Sequence, residues 1–241
     1  MQSFVERIER SDRPRRPLGS AVTPAGLSAR IMIIRYLEIC TEVEREFLRG
    51  RQVHGDRIHC RPGCSDCCHQ LFQITELEAA YISWGIRQMD DAACRERIKA
   101  RALPYLEARK ELVSRDGEPE AWGSLPPPGA RLPCPALEDG ICKIYEYRPL
   151  ICRKFGIPLY NPDRPGRVYA CELNFRNGEE IHDPELIQIQ TGIHCRWKEL
   201  QADYNAHGGY RDPEPITVAR AILEDFFTLV NFQSELPSGF R

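Results

Sequence analysis

Four thiols crowd into nine residues at Cys60-Arg61-Pro62-Gly63-Cys64-Ser65-Asp66-Cys67-Cys68, and nothing else in the chain limits its fold as tightly. Three more follow at Cys134, Cys142 and Cys152, with Cys171 and Cys195 behind them. Core packing gives no reason for such crowding. Thiolates are soft anionic ligands that suit zinc or iron, and the Cys64-x2-Cys67 spacing lets one loop place two sulfurs on a tetrahedral ion. Adjacent Cys67 and Cys68 point different ways in most backbone conformations. The pair is therefore expected to serve two centres, or one centre and a free thiol. Cys60, Cys64, Cys67, Cys68, Cys134, Cys142, Cys152 and Cys171 are enough for two tetrathiolate sites. One four-cysteine site with spare redox-active thiols is the alternative. A tetrathiolate zinc site is dianionic and needs donors beside it. Arg57 and Arg61 are near in sequence, and Arg148 and Arg153 are the candidates for support at the cofactor itself.

The rest of the composition narrows the class. At 241 residues the chain is long enough to bury a core without disulfide staples. A formal charge of −2 speaks against a broad nucleic-acid surface, so no nucleic acid is expected. No apolar run reaches the roughly 20 residues that span a bilayer, and the N-terminus lacks the apolar core of a secretory signal. A cytoplasmic setting follows as the expectation, with no membrane partner. In such a compartment eleven cysteines are not explained by persistent disulfides. Cys40 and Cys94 fit as small buried hydrophobes. A protein partner stays open, the Arg- and Pro-rich stretch over 1–25 being a solvated arm or a docking arm.

Residues 26–241 are expected to form a single domain that is mainly α with a few short strands, its helices packed around an irregular cysteine-rich metal-binding centre. Ile31, Ile34, Leu37, Val43 and Phe47 recur near a 3.6-residue period and predict a helix over 28–49, with Gly50 as its stop. Thr75-Glu76-Leu77-Glu78 fits a capping box opening a helix over 75–89. A further helix over 91–114 contains Pro104, expected to kink or split it. The stretch 116–133, with Pro126-Pro127-Pro128, reads as a connector. Leu137 to Ile141 reads as a hairpin turned by Asp139-Gly140, bringing Cys134 and Cys142 together. A short helix from Pro149 would hold Cys152 in its first turn, where the partial positive charge lowers a thiol pKa. Segments 184–190 and 197–205 are expected as separate helices in an otherwise irregular stretch, and 216–232 as the last helix.

The two cysteine segments, read together as Cys60-x3-Cys64-x2-Cys67-Cys68 and Cys134-Pro135-Ala136-Leu137-x4-Cys142-x-Ile144-Tyr145-x2-Arg148-Pro149-x2-Cys152-Arg153-x-Phe155, closely resemble the YkgJ-type cysteine-cluster family of zinc- or iron-chelating proteins. The resemblance covers roughly residues 57–175 and is also similar to the cysteine-rich part of flagellin lysine methylases. It implies a metal-chelating domain with the four cysteines of the first motif and the three of the second as ligands. Cys171 fits the later cysteine of the family less firmly, and Cys195 matches nothing in it.

Three classes of function follow. The first is a zinc- or iron-chelating protein whose centre organises the fold, a 4Fe–4S cluster being one form of it. The second is an iron–sulfur enzyme, such as a protein lysine methylase. Against a radical S-adenosylmethionine enzyme, whose cysteine spacing Cys60-x3-Cys64-x2-Cys67 shares, stand Asp66 before the third cysteine, the extra Cys68 and the lack of alternating strands and helices. The third is a metal-free thiol redox or scaffold protein built on Cys64 and Cys67. His59 and His69 flank the cluster as substitute ligands, and His194 lies beside Cys195. His54, His182 and His207 read as solvated or locally bonded. No residues stand out as catalytic.

Overall fold

The computed structural model describes residues 24–116 and 131–230. Most of the arm expected over 1–25 and most of the connector after Asp116 lie outside them. The described chain is mainly helical, with two two-stranded ribbons. In order they are α1 (Pro24–His54), α2 (Glu76–Gln88), α3 (Ala92–Asp116), β1 (Leu137–Glu138), β2 (Ile141–Cys142), α4 (Leu150–Lys154), β3 (Leu159–Tyr160), β4 (Val168–Tyr169), α5 (Leu186–Ala206), α6 (Val218–Leu223) and α7 (Phe226–Leu229). β1 pairs antiparallel with β2, and β3 with β4.

Helix α1 is the long spine, packed along α5 on one side and against α4 near its end. Its buried stripe is Met32, Ile33, Tyr36, Leu37, Cys40 and Val43, spaced three and four apart as one face of a helix requires. Ile31, expected on that face, is exposed instead, because the stripe centres on Tyr36. The Tyr36 ring meets Tyr81 of α2 at 5.8 Å and Trp197 of α5 at 6.1 Å, so three helices meet over one aromatic. Gly50 does not stop α1, which runs on to His54. The glycine serves packing: a Cβ there would sit 3.0 Å from Cγ2 of Ile157.

Helix α2 begins as expected, with the Thr75 N–H donating to Glu78 Oε2 at 2.8 Å. The other oxygen of Glu78 accepts the Leu150 N–H at 3.0 Å. One buried carboxylate thus caps α2 and α4 together, and α4 carries Cys152. Pro104 lies inside α3 without splitting it.

Two expectations change at the C-terminal end. The segments 184–190 and 197–205 are one helix, α5. Leu186, Ile193, Trp197, Leu200 and Tyr204 line its buried side, and Gly192 within it is tolerated. The last helix is broken: α6 ends at Leu223 and α7 starts at Phe226. Ser83 of α2 explains the break. Its hydroxyl donates to Ala221 O at 2.8 Å and Glu224 O at 3.0 Å and accepts the Phe226 N–H at 3.3 Å, so it takes up the backbone groups that a continuous helix would have paired. Asp225 then accepts from Thr228 N as the new cap.

Candidate metal centre

The cysteine segments meet through backbone. The Cys134 N–H donates to Cys68 O at 2.7 Å and the Leu132 N–H to His69 O at 2.9 Å. Gln70 and Arg131 form an antiparallel bridge beyond them. Sixty-odd residues of sequence separation are closed by these bonds. The first loop turns at Gly63 (φ 87°), with the Cys64 N–H on Arg61 O at 2.9 Å. A single 3-10 turn, Asp66–His69, then presents Cys67 and Cys68.

The second motif folds as its sequence predicts. Leu137 pairs with Cys142 and Glu138 with Ile141. Asp139 (φ 52°) and Gly140 (φ 73°) both adopt the left-handed conformation that a tight hairpin turn demands. Cys134 and Cys142 come within electrostatic reach of each other. Cys152 lies in α4, which Glu78 holds in place.

The segment carrying Cys171 is fixed by a residue with no motif around it. Asn174 is buried. Its Oδ1 accepts the His59 N–H at 2.8 Å, its amide donates to Gly156 O at 2.7 Å, and its own N–H donates to Cys171 O at 2.8 Å. Three segments are tied at one side chain. Replacing Asn174 with Ala keeps the backbone bond to Cys171 but leaves the His59 N–H and the Gly156 carbonyl without that partner, at about 1–3 kcal/mol. The expected outcome is a Tm lowered by several degrees, together with weaker retention of metal, read by thermal melts and metal analysis.

Electrostatics show how the thiols are grouped. Cys60 is pushed up to about 11 by burial and then by Cys64 and Cys67, with Cys171 adding to it. Cys171 is raised by burial and by Asp66, Cys64 and Cys67. On the other side, Cys134 is pushed up to about 12 by burial, with Cys142 and Cys67 adding to it. Cys152 is raised by burial, then by Cys67, Cys134 and Cys142. Cys142 is raised by burial, with Cys67 again contributing. Cys60, Cys64 and Cys171 make one set; Cys134, Cys142 and Cys152 make the other. Both sets feel Cys67, whose own pKa is raised first by the neighbouring Cys68.

This reverses the expectation for Cys152. The helix start was to lower its pKa, but the loss of water and three nearby sulfurs outweigh a five-residue helix. Of the arginines, Arg148 lowers both Cys142 and Cys152 while stacked over the Tyr145 ring at 3.7 Å. Arg153 is buried elsewhere: it donates to Arg148 O at 2.9 Å and Glu146 O at 2.5 Å and pairs with Glu44. Besides Glu44, the titratable groups that reach it are Cys40, Tyr36 and Tyr81, not the thiols of the two sets. His69 Nδ1 is 2.9 Å from Ser65 O, and His59 is exposed. His54, expected to be solvated or locally hydrogen-bonded, is buried against Phe175 and 3.8 Å from Asp183. Cys195 is exposed on α5.

Among the described residues no three His, Cys, Asp or Glu side chains converge into a ready-made metal site. The donor set nevertheless fits a thiophilic cation. Backbone N–H groups two residues on stabilise three of the sulfurs as thiolates: Ala136 at Cys134, Ile144 at Cys142 and Leu173 at Cys171. Such N–H···S turns favour the ligating form. Gly156 (φ 112°) leaves room for one sulfur, since a Cβ there would stand 3.0 Å from Cys60 Sγ. Crowded thiols that repel each other as anions are the charge pattern that a cation relieves.

Cysteines of this number and spacing point to the class of metal-binding proteins, and one comparison with known proteins agrees. Residues 59–165 match the family model described as "CxxCxxCC: Putative zinc- or iron-chelating domain". The match takes in both motifs and ends before Cys171. No curated protein and no solved structure matches the chain. No helix among the described residues is long and apolar enough to cross a membrane.

Proposed function

We propose that the chain is a zinc- or iron-chelating protein with two thiolate centres. Cys60, Cys64 and Cys171 would hold one ion and Cys134, Cys142 and Cys152 the other, the Cys67–Cys68 pair supplying a ligand to each. The bond from Cys134 N to Cys68 O carries this reading, because it brings sulfurs of both motifs into one neighbourhood. Bound cations would supply the positive charge that these sulfurs require. Arg148 tempers the charge of the second set, and Arg131, 2.5 Å from Asp66, that of the carboxylate beside Cys171. Anaerobic purification followed by metal and acid-labile sulfide analysis tests it. Two equivalents of zinc in a colourless protein, or iron with sulfide and visible charge-transfer bands, support the reading. Less than one equivalent of any metal overturns it.

The raised thiol pKa values make a further expectation. Near neutral pH the metal-free thiols are protonated, so loading must expel close to one proton per ligand and affinity must rise with pH. Calorimetry in buffers of different ionisation enthalpy counts those protons. The metal-free fold should also lose stability from about pH 9 to about 12. There the unfolded thiols ionise while Cys60 and Cys134, at about 11 and about 12, still hold protons. Metal-loaded protein should show no such loss in denaturant melts.

A further inference from the structure

His54 is the last residue of α1, and its side chain is wholly buried. Neither Nδ1 nor Nε2 has a hydrogen-bond partner among the described residues. The ring stands edge-on to Phe175, with centroids 5.3 Å apart. The carboxylate of Asp183, also buried, lies 3.8 Å from Nε2.

That carboxylate is already engaged. Its Oδ1 accepts from Arg49 Nη1 at 3.0 Å and from the Glu185 N–H at 3.2 Å, and its Oδ2 accepts from Arg49 Nη2 at 2.7 Å. Arg49 also donates to Glu46 at 2.6 and 2.9 Å. The guanidinium thus fastens the end of α1 to the chain that leads into α5. The Phe175 N–H donates to Arg57 O at 3.2 Å, so the segment carrying Cys171 hangs on the same end of α1.

A neutral imidazole suits this place and a protonated one does not. Burial holds the His54 pKa below its usual value; of the charges that face it, Asp183 and Glu46 raise it, while Arg57 and Arg49 lower it. An imidazolium brings two N–H donors into a site that offers them no unengaged acceptor. Asp183 could serve one of them only by giving up Arg49.

We propose that His54 is an acid-sensitive latch: proton uptake draws Asp183 away from Arg49 and frees the 171–185 segment from the end of α1. The latch stands whatever the cysteines bind. That its opening loosens the hold of the first centre on Cys171 rests on the two-centre reading above. An opened histidine takes its proton near about pH 6.5, and the latched one only at lower pH. Opening is therefore favoured as pH falls through that range, by up to about tenfold per pH unit for one proton. Asp183 acts in a lower window, since Arg49 outweighs the effect of burial and holds it below the usual carboxylate range.

Hydrogen–deuterium exchange of the full chain as purified, at about pH 7.5 and about pH 5.5 with intrinsic rates corrected, reads the latch. Peptides over 171–189 should lose protection in acid by up to about tenfold per pH unit below 6.5, while those of α2 keep theirs. His54→Phe keeps a ring against Phe175 and takes up no proton. It should hold its protection at both pH values and melt no lower than wild type near neutrality, because the nitrogens it removes have no partners. His207→Gln, at an exposed histidine, should respond to acid as wild type does. The ring ¹⁵N shifts of His54 in the wild-type chain give a second readout that needs no variant, and they should report a neutral ring below its usual range. Ordinary titration of His54, or the same acid response in wild type and His54→Phe, overturns the latch. Loss of protection over 171–189 with metal fully retained would sustain the latch and count instead against Cys171 as a ligand.

Discussion

Replacing Cys67 with Ser should empty the centre it ligates and weaken the other, while Cys195→Ser should leave metal content as it was. Cys67 is the one sulfur whose charge is felt by Cys60 and Cys171 on one side and by Cys134, Cys142 and Cys152 on the other. A serine hydroxyl keeps the volume but offers zinc or iron no thiolate. Loss of affinity should exceed the roughly 10–100-fold that follows from removing an outer-shell partner. Competition against a chromophoric chelator measures it. Full metal content and unchanged affinity in the variant would show that Cys67 is a bystander, and the pairing of the two sets around it would fall. Cys195 is the internal control, being exposed and a member of neither proposed set.

Glu78→Ala should be the most damaging single change away from the sulfurs. The buried carboxylate accepts from Thr75 N at 2.8 Å, Thr75 Oγ1 at 2.9 Å and Leu150 N at 3.0 Å. It is also the charge that counters Lys154. Removing it leaves two backbone donors without an acceptor and a drawn-in ammonium without its carboxylate. The expected cost is about 3–5 kcal/mol, a fall in Tm of roughly 10 °C for a domain of this size. Glu78→Gln keeps some acceptor capacity and should cost less. Equal melting of wild type and Glu78→Ala would show that α4 is held by other contacts, and Cys152 with it.

Much of this was legible from residue spacing because the forces involved are local. The capping box at Thr75 and Glu78 and the Asp139-Gly140 turn are decided within four residues, and both stand where expected. The joining of the two cysteine segments was legible for a chemical reason, since crowded thiols have few uses other than a shared cation. Features that depend on distant partners were not. The break at Glu224 is made by Ser83, 141 residues away, and no pattern in 216–232 announces it. Asn174 is one polar residue in an irregular stretch, and its role appears only when His59 and Gly156 arrive beside it. The unbroken α5 was a different kind of miss. Ile193, Trp197 and Leu200 carry the helical period across the gap between the two expected segments. The pKa of Cys152 was misjudged because burial, a tertiary quantity, outweighs the helix start.

The bond between Cys134 and Cys68 has a consequence for how the molecule is made. During synthesis the sulfurs of the first loop leave the ribosome just over a hundred residues ahead of Cys171. For that interval a nascent chain can offer an incoming ion only an incomplete grip. On the proposed ligand sets, capture at the centre that uses Cys171 has to wait until that segment has emerged and docked, so a translation arrest ahead of Cys171 would leave this centre short of a sulfur.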